Sequence, residues 1–223
     1  MNLFICIALL LAGGPQGYIC TTPGSILTYE RRDAANPEKI WWNQTLEITG
    51  TKPLDDGTIE VDCTTTYKSV KVKAPVNGPV NSKTIMQKDG TVDTDTGEVA
   101  GIVAKRKFSI ANFKVEAGVS SIPARLAPGD TLKNLHVKVS WAGIVCNLDL
   151  TEREVVRRET ITVPAGTFDC IVVKEHDLER YPFNTRDRIT YTWYALGYGS
   201  VKHDTYFPDG RMECTESLVS VTN

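Results

Sequence analysis

The stretch from Glu159 to Val173, E-T-I-T-V-P-A-G-T-F-D-C-I-V-V, has few ways to fold. Ile161 and Val163 fall on one face of an extended strand. Val163-Pro164-Ala165-Gly166 is a turn: Pro presets φ at its second position and Gly tolerates the closing one. Phe168, Cys170 and Val172 then line one face of the return strand, and Asp169, Ile171 and Val173 the other. Alternation on both sides of a tight turn specifies a hairpin. The same period of two recurs over Thr58–Val72, with Ile59, Val61, Cys63, Thr65 and Tyr67 opposed to Glu60, Asp62 and Thr64. It recurs again over Leu135–Leu150, with Leu135, Val137, Val139 and Trp141 on one face and a bend or bulge at Ala142-Gly143. Turn signals at Pro53–Gly57, Ala195–Gly199 and Pro208–Gly210 separate further strands. Half-apolar alternation of this kind belongs to antiparallel sheets. The expected class is all-β: one strongly curved antiparallel sheet, or half-open barrel, of roughly ten to twelve strands. Little helix is expected. A short one fits only at Val99–Lys105, where Gly101 and Val103 make it poor.

The chain opens with an apolar run, Leu3–Ala12, followed by Gly13, Gly14 and Gly17. The run is too short to span a bilayer, which takes about 20 residues. It fits a secretory signal peptide, although no Lys or Arg precedes it. Residues 1–17 are therefore expected as the signal, and 18–223 as a single antiparallel β domain. Tyr18-Ile19 stand where lipid attachment at Cys20 wants small residues, which argues against an anchor there. The 25 basic and 27 acidic residues give a net charge of -2, which excludes the basic footprint of a nucleic-acid binder. Cys20, Cys63, Cys146, Cys170 and Cys214 follow the signal without a C-x-x-C, so no metal site is expected. Cys170 and Cys214, on late strands taken as neighbours, are the candidate disulfide.

The order of features in the C-terminal half is P-A-R-L-A-P-G-D-T-L at 123–132, T-V-P-A-G-T-F-D-C at 162–170, W-Y-A-L-G-Y-G-S-V-K at 193–202 and D-G-R-M-E at 209–213. With the G-S-I-L-T-Y-E first strand and the exported start, this resembles the TapB-like family of uncharacterised bacterial envelope proteins. The resemblance implies an architecture similar to LolA/LolB-type lipoprotein carriers, whose concave face holds an acyl chain. It supplies no catalytic residues, and the chain departs from a carrier in lacking a clear lid helix.

No nucleophile elbow, metalloprotease motif or phosphate loop is present. His136 reads as a surface residue. His176-Asp177 and His203-Asp204 place imidazole and carboxylate next to each other in strands, where neighbours point to opposite faces. Asp93-Thr94-Asp95-Thr96-Gly97 starts like a calcium loop but ends on Ala104 where Glu is needed, so it reads as a polar turn. Trp42, Trp141, Trp193 and Tyr191 lie on different strands and are the candidate lining of an apolar pocket.

The expectation is thus an exported, periplasmic or outer-envelope protein without enzymatic activity or cofactor. It would bind an apolar ligand, a lipid or an acylated lipoprotein partner in the concave face, with no nucleic acid and no transmembrane span in the mature chain. The alternative is a structural or interaction module that docks another envelope protein through a sheet edge or loops.

Overall fold

The structure, a computed structural model, describes residues 16–72, 75–108 and 112–223. The expected signal therefore lies outside the described residues, apart from Gln16 and Gly17. Gly17 is already packed in: its carbonyl accepts a 2.8 Å bond from the Gly197 N–H.

The strands are β1 (Ile26–Asp33), β2 (Ile40–Pro53), β3 (Ile59–Ser69), β4 (Val80–Met86) and β5 (Val92–Asp95), followed by the helix α1 (Thr96–Phe108). Then come β6 (Lys114–Glu116), β7 (Val119–Ile122), β8 (Leu135–Trp141), β9 (Ile144–Val163) and β10 (Gly166–Tyr181). The chain ends with β11 (Asn184–Ala195), β12 (Gly199–Tyr206) and β13 (Met212–Thr222). All thirteen form one antiparallel sheet in the order β6-β8-β9-β10-β11-β12-β13-β1-β2-β3-β4-β5-β7.

That order dictates strong curvature. Laid flat, thirteen strands at about 4.8 Å spacing would hold the edge strands roughly 58 Å apart. The two edges are β6 and β7, and only Ala117 and Gly118 separate them in the chain. Three Cα steps span at most about 11 Å. The sheet must wrap until its ends meet at this seam, without the two edges pairing. Helix α1 lies across the seam and touches β4, β6, β7 and β8.

The opening hairpin forms as read. Phe168 pairs with Ile161 and Cys170 with Glu159 across β9 and β10. The main buried cluster gathers Leu27, Ile48, Val61 and Leu218 with Val172 and Trp193. A second cluster packs Tyr18 and the 123–132 loop residues Leu126 and Leu132 on Val155, Ile171 and Val173.

Four expectations are corrected. Leu135–Leu150 is not one bent strand: Ala142 and Gly143 have φ of 45° and 81° and close a two-residue hairpin between β8 and β9. Lys107–Ala117, expected as a strand, is strand among the described residues only over Lys114–Glu116, since α1 runs on to Phe108. The polar loop Glu179–Asp187 is instead a hairpin tip, with Tyr181 paired to Asn184. Finally, Cys170 and Cys214 are free buried thiols rather than a disulfide, because β11 and β12 stand between their strands. Burial pushes the Cys170 thiol up to about 12 and Cys63 to about 11, which leaves both protonated and inert.

Candidate functional site

The register identifies the concave face. Directly opposed residues in a sheet share a face. Thr192, His203, Glu216, Arg31 and Trp42 stand side by side across β11, β12, β13, β1 and β2. Tyr67 of β3 and Glu175 of β10 line the same cavity of about 480 Å³ as this row. Those two strands are six places apart, roughly 29 Å in a flat sheet. Only the inside of a curve brings them to one cavity.

Apart from Asp177, the charges inside are bound to one another. Arg31 Nε donates to Glu216 Oε2 at 3.1 Å, and its guanidinium lies 5.1 Å from the centre of the Trp42 ring. His203 Nδ1 and Thr192 Oγ1 are hydrogen-bonded at 2.9 Å. Burial, helped by Arg31 and Arg186, lowers the His203 pKa to about 3, so the imidazole is neutral near pH 7. Burial, with the Glu216 carboxylate, pushes the Tyr67 phenol up to about 12. Arg153 Nε donates to Glu175 Oε1 at 2.5 Å, with both side chains under a tenth exposed. Arg186 and Arg188 both donate to Glu213, at 3.1 and 2.9 Å.

None of the sequence-adjacent His–Asp pairs forms. His176 Nε2 instead meets Asp187 Oδ1 across the β10–β11 ladder at 2.8 Å. Asp204 accepts from Lys202 and Thr215. His136 pairs with Asp149 at 2.5 Å and is exposed, as a surface residue. No group of three or more His, Cys, Asp or Glu suited to a metal occurs among the described residues.

The same concave face becomes apolar toward the seam. Leu135, Val137 and Val139 oppose Leu150, Leu148 and Cys146 across β8 and β9. Leu150 in turn opposes Asp177 of β10, which shares its face with Glu175. Above this patch α1 presents Val99, Ala100, Val103 and Ala104, and a cleft of about 330 Å³ lies between helix and sheet. A helix over the concave face, of which the sequence carried no clear sign, is therefore present. Its start is set by Asp95, whose Oδ1 accepts from the N–H groups of Gly97 and Glu98 at 2.8 and 3.2 Å. Asp95 with Glu98 three residues on is a helix-start signal, and Gly97, Gly101 and the β-branched Val99, Ile102 and Val103 obscured it.

The four candidate pocket residues are separated. Trp42 lines the polar part of the concave face. Trp141 packs beside Ala104, Val137 and Val139 near α1. Tyr191 and Trp193 share a cleft on the opposite face, where Trp193 opposes Val172 and Lys202. Alternation shows which residues share a face but not which face curves inward. The apolar residues of the cleft, Leu135, Val137, Val139, Leu148 and Leu150, were visible only as strand core.

A continuous, curled antiparallel sheet closed at its seam by one short helix defines an all-β class with an internal concavity. A family model described as DUF3108-like matches residues 42–218, and the chain belongs to that family. Neither the TapB-like name nor the likeness to LolA/LolB carriers is among the matches. The fold is that of two solved structures. One is a Bacteroides fragilis protein proposed to be exported, with a YmcC-like fold: 19% identity, TM-score 0.72, covering 93% of this chain and 100% of that one. The other is a Parabacteroides distasonis protein proposed to be a lipoprotein: 20% identity, TM-score 0.75, covering 94% of this chain and 100% of that one. No curated protein matches the chain. No described helix is long and apolar enough to cross a membrane.

Proposed function

We propose that the chain is an exported, non-catalytic binding protein of the cell envelope that holds an apolar chain, from a lipid or an acylated partner, between α1 and the β8–β9 hairpin. One observation carries this reading. The 330 Å³ cleft is walled on both sides by aliphatic side chains, with Val99 and Val103 above and Leu135, Val137, Leu148 and Leu150 below. Its size is at the lower end of small-molecule pockets, which run from about 300 to 1,000 Å³. Apart from Asp177, the charged groups of the same face are mutually paired, which favours a structural role for them over turnover. Cys20 is 6% exposed within the main cluster, so a lipid anchor there would have to draw its side chain out of the core.

Native mass spectrometry of protein purified from its own host tests the reading. A co-purifying lipid that is lost in the cleft-filling variant Val103→Trp is the expected result. Ligand-free protein from host membranes and envelope alike would overturn it.

The interaction-module reading is favoured by Phe183, which stands fully exposed at the β10–β11 tip. The sheet edges offer less to a partner, since β6 and β7 span only 3 and 4 residues. A photo-crosslinker at position 183 that captures one envelope protein in the host would support docking through this tip.

A further inference from the structure

We propose that the opposite face of the sheet carries a second binding site, a cleft of about 480 Å³ in which a ring-bearing monoanion lies against Tyr191, Trp193 and Tyr206 with its carboxylate on Lys174. The aromatic wall is built by register: Tyr191 opposes Lys174 on one side and Asp204 on the other. Tyr191 and Tyr206 pack edge to face at 5.6 Å. The turn that follows Tyr206 closes the mouth, its Gly210 N–H donating to the Phe207 carbonyl at 2.9 Å.

Charge decides the ligand class. Two cations, Arg157 and Lys174, line this cleft, and a third, Lys202, stands beside it on the Trp193 ring. Arg157 donates to Glu159 at 2.9 Å and lies 5.5 Å from the Trp193 ring centre. Lys202 donates to the buried Asp204 at 2.8 Å and stands 4.3 Å from the same ring. Glu159 is also held by the Trp193 indole N–H at 3.0 Å, which keeps its carboxyl below the usual range. Each local carboxylate is thus matched to a cation. Lys174 is the remainder: among the described residues it makes no hydrogen bond or ion pair, and Glu154, opposite it in register, is not within ion-pair distance. One uncompensated ammonium beside an aromatic wall suits one negative charge on a flat ring. The net charge of the cleft disfavours a cation, and its aromatic wall adds nothing for a small anion without a ring.

The test uses the full-length mature chain with ¹⁵N-labelled tryptophan, following the indole signal of Trp193 during titration with benzoate, benzamide and acetate. Benzoate is expected to bind about tenfold tighter than either benzamide, which lacks the charge, or acetate, which lacks the ring. Lys174→Gln is expected to bring benzoate down to the affinity of benzamide while leaving the melting temperature unchanged. Equal binding of benzoate and benzamide, no binding of benzoate, or an unaltered benzoate affinity in the variant would each overturn the proposal.

Discussion

Asp177 is buried on the concave face with its Oδ1 unpartnered among the described residues. Burial, reinforced by Glu179, raises its pKa from 3.8 to about 6, against the pull of Arg186. A carboxyl raised in the folded state gives stability that is complete below its unfolded pKa, near 4, and lost as pH climbs through 6. Asp177→Asn should therefore stabilise the protein at pH 8 by about 1–3 kcal/mol and have little effect at pH 4. Urea denaturation at the two pH values checks this. His203 has the opposite sign. Its lowered pKa gives stability that is full above 6.5 and lost as pH falls toward 3, so His203→Gln should flatten the acid limb of the same curve. The Arg153–Glu175 pair is a third case. Removing one partner leaves a buried charge uncompensated, and Arg153→Met should cost about 3–5 kcal/mol, read from the urea midpoint. Residue types and alternation were legible in the sequence here, but these environments were not, because each is made by burial and by partners on neighbouring strands, as Glu175 lies 22 positions from Arg153.

At the scale of elements, local chemistry and long-range packing part company. V-P-A-G announced the β9–β10 hairpin because Pro and Gly each fix a backbone position. Ala142-Gly143 announced only a bend, because Ala is a poor residue for a left-handed position. Ala142→Asn should relieve that cost and raise stability by about 0.5–1 kcal/mol, measured by thermal unfolding. Helix α1 was hidden for a related reason. Its two glycines and branched residues lower its own propensity, and its stability comes from packing Ala100 and Ala104 against Phe113, Val137 and Val139. Such support lies in the fold and not in the helix's own sequence. Asp95→Ala removes the cap and should cost about 1 kcal/mol, with hydrogen exchange rising in the first turn of α1.

At the scale of the whole molecule, an all-β curved sheet follows from alternation and turn residues, and the expected strand Leu135–Leu150 becomes two because a turn splits it. The direction of curvature did not follow. The two-residue link between the first and last strands of the sheet order forces the curl, and which face turns inward is seen only in the cavity that β3 and β10 share. That link places α1 over the β8–β9 patch and so creates the cleft that Trp42, Trp193 and Tyr191 do not line. The most direct measurement is a titration of delipidated protein with dodecanoate, followed by methyl NMR. Shifts concentrated on Val99, Val103, Val137, Val139, Leu148 and Leu150, and abolished by Val103→Trp, are the expected result. Shifts spread over β1–β3, or unchanged in that variant, would contradict an apolar ligand beneath α1.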